Sequence, residues 1–115
     1  MEQAIVDLEA IHESNPESLR SLHSLALSYV QAGRTSELTT LLAAARDTMP
    51  AELTAITVIQ AECLLMTGGN RALEALQLLD SLDGDGAIDP RLQTTIRSLA
   101  KMARSNLRQR IRLNL

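Results

Sequence analysis

Residues 18–50 read SLRSLHSLALSYVQAGRTSELTTLLAAARDTMP, and their reading decides the fold. Leu22, Leu25, Ala26 and Tyr29 recur at helical spacing, and so do Leu38, Leu42 and Ala45. Gly33 stands between the two strings and suits a left-handed helix end. Pro50 closes the stretch and suits the first position of a further helix. Two helices joined by a tight turn are therefore expected. Working outward, a helix over 2–13 should place Ala4, Ile5, Leu8 and Ile11 on one apolar face. Ser14 or Asn15 should cap the next helix, with Pro16 and Glu17 in its first turn and Ala32 at its end. Further helices are expected over 36–48, 51–66 and 71–82, the last capped by Asn70, and from Asp89-Pro90 to about Gln109. Short connections between them imply antiparallel hairpins.

Composition agrees with an all-α class. Leu and Ala supply 36 of 115 residues, Gly and Pro only 8, and there is no Phe or Trp and one Tyr. Leu and Ala favour helices and suit strands poorly, which argues against a β-sandwich or a doubly wound α/β fold. The lack of aromatic rings argues against single-stranded nucleic-acid binding, which uses stacking platforms. The net charge of −3 hides an asymmetry. Residues 1–90 hold all 14 acids and four bases, whereas residues 91–115 hold seven bases and no acid. A segment of one sign suggests a partner of its own. The single cysteine, Cys63, cannot form an internal disulfide, so a cytoplasmic setting is expected. No signal-peptide pattern and no membrane-spanning apolar run is present.

A shift of 34 residues brings the apolar pattern back. Leu22, Leu25 and Tyr29 become Ile56, Ile59 and Cys63, and Leu38, Leu42 and Ala45 become Ala72, Leu76 and Leu79. Shifted the other way, Leu38, Leu42, Ala45 and Pro50 become Ala4, Leu8, Ile11 and Pro16. A helix-pair repeat of this period resembles the tetratricopeptide family. The family's large-x-x-Leu-small-x-x-Tyr string is met by Leu22, Leu25, Ala26 and Tyr29, its turn by Gly33, and its closing proline by Pro50. Leu38 departs from the usual Ala, and the second copy has Gln60 for the small residue and Thr67 for the turn glycine. The resemblance implies one domain: a half repeat over 2–16, a repeat over 18–50, a degraded repeat over 52–82, a loop over 83–88 and a terminal helix over 89–110. It further implies a right-handed α-solenoid of six helices. The opening helix lacks its repeat's first helix, so its outer face, including Val6 and Ala10, is expected to dock another chain or to self-associate.

In such a repeat the first helix of each pair lines a concave groove. That assigns Arg20, His23, Leu27, Val30 and Gln31, then Thr54, Thr57, Ala61, Leu64 and Leu65, to a partner-binding face suited to an apolar or amphipathic helix. The alternative is that the sixth helix covers Leu27, Val30, Leu64 and Leu65. His23 and Leu27 stand where the family's terminal-carboxylate clamp needs polar residues, which speaks against that mode of binding. The sixth helix sets Leu92, Ile96, Leu99, Ala103 and Leu107 on one stripe. Its bases Arg97, Lys101, Arg104, Arg108, Arg110 and Arg112 lie mostly off it, as a solvating end face or as a patch for an acidic protein, a nucleic-acid backbone or a membrane surface.

Other candidates are weaker. Asp83, Asp85 and Asp89 resemble a calcium loop but lack ligands at Ala87 and Thr94. His12 and His23 have no metal-ligand spacing around them, so no metal or cofactor is expected. Cys63 reads as a buried thiol, and Met49, Met66 and Met102 as core filler. No catalytic constellation stands out, so a non-catalytic protein is expected. Residues 61–102 also resemble the cytoplasmic chaperones of needle subunits in type III secretion, through Ala61-Glu62-Cys63, Gly68, Ala72-Leu73 and Asp89-Pro90-Arg91-Leu92-Gln93-Thr94. That resemblance implies a groove holding the amphipathic helix of a polymerising subunit, with a small co-chaperone on the N-terminal helices. A self-associating structural subunit and a nucleic-acid-linked regulator are the competing readings.

Overall fold

The computed structural model describes residues 2–67, 71–82 and 88–113, with the side chains of residues 2 and 110–113 left aside. Six helices follow one another: α1 (Glu2–Ser14), α2 (Leu19–Ala32), α3 (Thr35–Thr48), α4 (Leu53–Thr67), α5 (Arg71–Leu82) and α6 (Pro90–Leu113). A single 3₁₀ turn, Pro50–Glu52, precedes α4. There is no strand among the described residues. Residues 68–70 and 83–87, on which the expected Asn70 cap, most of the expected loop and the Asp83–Asp85 pair fall, lie outside them.

The entry to α2 differs from expectation. Ser18 is the cap, and its hydroxyl oxygen accepts from the Ser21 backbone N–H at 3.2 Å. Ser14 and Asn15 finish α1 instead: the Ser14 hydroxyl donates to the Ala10 carbonyl, and the Asn15 N–H to that of Ile11. Two capping residues before a proline can serve the helix behind as well as the one ahead, and here the tertiary arrangement chose the former. Pro16 and Glu17 form the turn between the two helices. Pro50 likewise opens the 3₁₀ turn, so α4 begins at Leu53. Asp89 does cap α6, its Oδ1 accepting from the Arg91 N–H at 2.8 Å, and that helix extends four residues past the expected end, to Leu113.

The α2–α3 turn is as expected. Gly33 has φ +73, its N–H donates to Val30 O, and the Arg34 N–H donates to Tyr29 O at 2.9 Å. These are the two bonds of a Schellman motif, and they satisfy carbonyls that the helix end would otherwise orphan.

The chain packs as two compact units, Met1–Ile59 and Gln60–Leu115. In the first, α2 packs against both α1 and α3. Ile5, Leu25 and Tyr29 are buried together, with Leu8, Ala32, Leu38 and Leu41 against them. Each large apolar side chain enclosed this way contributes on the order of 2 kcal/mol. In the second unit α5 packs on α6. Ala72, Ala75 and Leu79 of α5 and Ile96, Leu99, Ala100 and Ala103 of α6 are buried, and the alanines permit a close approach.

The helix ends themselves carry the repeat. α1, α3 and α5 end at Ser14, Thr48 and Leu82, and α2 and α4 begin at Leu19 and Leu53, so each interval is 34 residues. Leu22, Leu25 and Tyr29 are buried, and so are their counterparts Ile56, Ile59 and Cys63. The first half repeat departs from this. Ile5 is buried, but Ala4 is exposed and Ile11 is 50% exposed, whereas the counterpart of Ile11, Ala45, is enclosed. The four-residue apolar face expected of α1 is therefore covered on one side only. Met66 and Met102 are also exposed, unlike the buried Met49, and do not fill the core.

Gly33→Ala should lower stability by about 1 kcal/mol, the cost of a side chain in left-handed backbone. No atom lies within 4 Å of the added methyl, so strain alone should act. Urea denaturation of the two proteins measures it, and an unchanged midpoint would contradict this role for the turn.

Candidate functional site

The face assigned to partner binding is built mainly on α2. Its apolar positions Leu22, Leu25, Ala26 and Tyr29 turn into the core, which leaves His23, Leu27 and Val30 half-buried on the next flank. Arg20 and Gln31 are exposed at its two ends. Thr54 and Thr57, at the start of α4 in the same unit, are half-buried. The Thr57 hydroxyl donates to the Leu53 carbonyl at 2.8 Å, so its polar atom is already engaged within the helix.

The continuation of that face along α4 needs correction. Ala61 is 0% and Leu65 7% exposed, so both are far less open than the α2 residues of the face. Leu64 is half-buried. Mean hydropathy is high around the whole of α4, and on such a helix the sequence does not mark which apolar positions face inward.

The sequence reading missed a cleft of about 370 Å³ between α1 and α3, floored by α2. Glu9 and Glu13 of α1 and Glu37 of α3 line it, with Tyr29 and Leu25 beneath. The Tyr29 hydroxyl donates to Glu9 Oε2 at 2.7 Å. Burial first, then this bond and the Glu9 and Glu37 charges, hold the phenol in its neutral form well above its usual range, with Arg34 opposing. Arg34 itself pairs with Glu37 at 3.3 Å across one turn of α3. The signal was present in the sequence: Glu9 lies beside Leu8 on α1, and Tyr29 is the one large polar-tipped side chain in the buried string. A buried tyrosine oxygen seeks a partner.

His12 meets Ser21, with Nδ1 at 3.3 Å from Oγ. Ser21 is buried, and its hydroxyl donates to the Ser18 carbonyl at 3.1 Å. The oxygen is then left to accept from the tautomer of His12 that carries its proton on Nδ1. This pair ties α1 to the start of α2.

In the second unit Arg97, Lys101, Arg104 and Arg108 are exposed at helical spacing along one flank of α6. Arg104 pairs with Asp80 of α5 at 3.2 Å, with both side chains half in solvent. Arg110 and Arg112 belong to α6 by sequence, but their side chains lie outside the described residues. Leu92 and Leu107 are half-buried on the opposite stripe, and Ile96, Leu99 and Ala103 are buried. Cys63 is buried, and that burial, followed by the charge of Glu62, pushes its thiol up to about 11. Among the described residues no group of His, Cys, Asp and Glu is disposed to hold a metal ion, and no single helix is long and apolar enough to cross a membrane.

A second missed feature concerns α6. The string Ile96-x-x-Leu99-Ala100-x-x-Ala103 repeats Leu22-x-x-Leu25-Ala26-x-x-Tyr29 in spacing and burial, and in residue size at the first three positions, with the small Ala103 in place of Tyr29. α6 therefore has the pattern of the first helix of a further pair. Six residues beyond two whole periods separate it from the central copy, so a fixed shift of 34 does not find it.

Comparison with family models, with curated proteins and with solved structures returned no match for the chain.

Cys63 makes stability depend on pH. Its thiol titrates near 9 when unfolded and near 11 when folded, so its contribution is complete below pH 9 and disappears as pH rises towards 11. The loss is on the order of 2–3 kcal/mol. Tyr29 adds a loss of the same sign at higher pH. Denaturation of wild type and Cys63→Ala across this window should show a flatter decline in the variant; identical slopes would contradict the assignment.

Proposed function

We propose that the chain is a non-catalytic protein-binding module, a tetratricopeptide-like stack of antiparallel helix pairs that holds an apolar or amphipathic helix of a partner. The observation that carries this reading is the flank of α2. Leu27 and Val30 lie side by side, apolar and incompletely covered, between the exposed polar ends Arg20 and Gln31. A flank of that kind gains free energy when a partner's apolar stripe removes it from water, and its polar rim sets orientation. The recurrence of helix ends at 34-residue intervals supports the repeat architecture that would present such a flank. The chaperones of needle subunits, which residues 61–102 resemble, make this reading concrete: a small cytoplasmic protein sequestering the amphipathic helix of a subunit that would otherwise polymerise.

A panel of labelled helical peptides, apolar at i, i+3, i+4 and i+7 or with the same residues scrambled, tests the proposal by fluorescence anisotropy. The patterned peptides should bind and the scrambled ones should not. Leu27→Asp should weaken binding by about tenfold or more, as a charge placed in an apolar contact does. Leu64→Asp reads out whether the second unit takes part. Unchanged helicity by circular dichroism shows that both variants fold. Equal affinity of the wild-type protein and both variants would refute the assignment.

The exposed row Arg97, Lys101, Arg104 and Arg108 favours a second reading, binding to a polyanion such as duplex nucleic acid. That reading requires a steep fall in affinity for a DNA duplex as salt rises, and the absence of binding at low salt removes it.

A further inference from the structure

We infer that the cleft between α1 and α3 binds an organic cation on an apolar stem, an alkylguanidinium or alkylammonium group. This does not rest on the peptide-binding flank of α2.

The cleft exists because α1 and α3 each pack on α2 and not on one another. The floor left between them is apolar: Leu25 and the Tyr29 ring of α2, with Leu41 of α3 beside them. Its volume of about 370 Å³ lies near the lower end of the ~300–1,000 Å³ of ligand pockets, which suits one small group.

The walls are acidic. Glu9 and Glu13 stand on the α1 side and Glu37 on the α3 side, and no Lys or Arg lines the cleft. Arg34 offsets one of these three charges, pairing with Glu37 at 3.3 Å. Glu13 meets no base among the described residues. At the Tyr29 phenol, burial and the Glu9 bond act first, and after them the charges of Glu9 and Glu37 outweigh the opposing Arg34. The potential at the floor is therefore negative.

The polar hydrogens of the lining are mostly spent. The Tyr29 hydroxyl donates to Glu9 Oε2 at 2.7 Å, and the Thr40 hydroxyl to the Ser36 carbonyl at 3.1 Å. The tautomer of His12 that donates to Ser21 from Nδ1 leaves Nε2 a lone-pair acceptor. What remains is Glu9 Oε1, the other two carboxylates and the lone pairs of Thr40 and His12, with Ser36 the one side chain that keeps a hydroxyl proton to offer. Acceptors and negative charge over an apolar floor call for a ligand that is cationic, rich in donors and carried on hydrocarbon. Among the described residues no group of His, Cys, Asp and Glu is disposed to hold a metal ion, so the acids flank the cleft without converging on one point. A cation with several spread donors matches that arrangement, and an alkyl stem covers Leu25, Leu41 and the ring.

Titration of the full chain with n-butylguanidinium tests the inference, read from the ring protons of Tyr29 by NMR. Half-saturation is expected at about 1 mM, in keeping with a ligand this small. The neutral isostere n-butylurea should bind about tenfold more weakly or worse, since it carries no charge to meet the acids. Glu9→Gln and Glu13→Gln should each weaken n-butylguanidinium about threefold or more, and the double variant about tenfold. The amide oxygen introduced by Glu9→Gln still accepts from Tyr29, so the fold should survive, as circular dichroism will show. A short blocked alanine peptide with one central arginine separates the two sources of the cation. Tighter binding than n-butylguanidinium assigns the site to a side chain of a partner polypeptide, and weaker binding to a free amine or guanidine. No shift of the ring protons at about 50 mM, equal binding of n-butylurea, or an affinity unchanged in the double variant would each overturn the inference.

Discussion

The first unit depends on α2 burying two flanks at once. Leu25 and Tyr29 share a cluster with Ile5 and Leu8 on one side and Leu38 and Leu41 on the other. A helix used this way needs an apolar arc wider than a surface helix, a small residue for close approach, and a sharp exit so that α3 can return. Leu22, Leu25 and Tyr29 supply the arc, Ala26 the close approach and Gly33 the exit. The bond from Tyr29 to Glu9 then gives the buried ring a polar anchor on α1, so the same residue fixes both neighbours. The flank that remains, with His23, Leu27 and Val30, stays incompletely covered as a geometric consequence of the arc.

Most of the helices were legible in the sequence, because the 3.6-residue periodicity is strong and Gly33, Pro50 and Asp89-Pro90 punctuate it. α5 falls on the expected residues, and the other ends move by a few residues for local reasons. Ser14 and Asn15 were ambiguous because a serine or asparagine between two helices can bond to either, and only the packed chain decides. Position in the repeat failed where a neighbour was missing. Ile11 reads as core beside Leu8, yet its counterpart Ala45 is enclosed and Ile11 is not.

The candidate site was legible in part. Leu27, Val30, Thr54 and Thr57 follow from helical phase, since phase and incomplete burial agree there. Ala61 and Leu65, buried where the phase places them on the face, did not follow, because the apolar residues of α4 are spread around its circumference and phase alone cannot separate lining from core. The contact between Glu9 and Tyr29 joins residues 20 apart, and periodicity within either helix says nothing about it. The α6 string escapes a fixed period of 34 for a related reason: the chain keeps the spacing of Ile96, Leu99 and Ala100 while lengthening the interval by six residues.

Tyr29 is the single Phe, Tyr or Trp residue, so in D2O its ring protons share the aromatic region of an NMR spectrum only with those of His12 and His23. Nuclear Overhauser contacts from that ring to assigned methyl groups test directly whether α2 lies between α1 and α3. The account predicts contacts to methyls of α1, from Ile5 or Leu8, and of α3, from Leu38 or Leu41, in the same sample. Contacts to one of these helices and none to the other would contradict it.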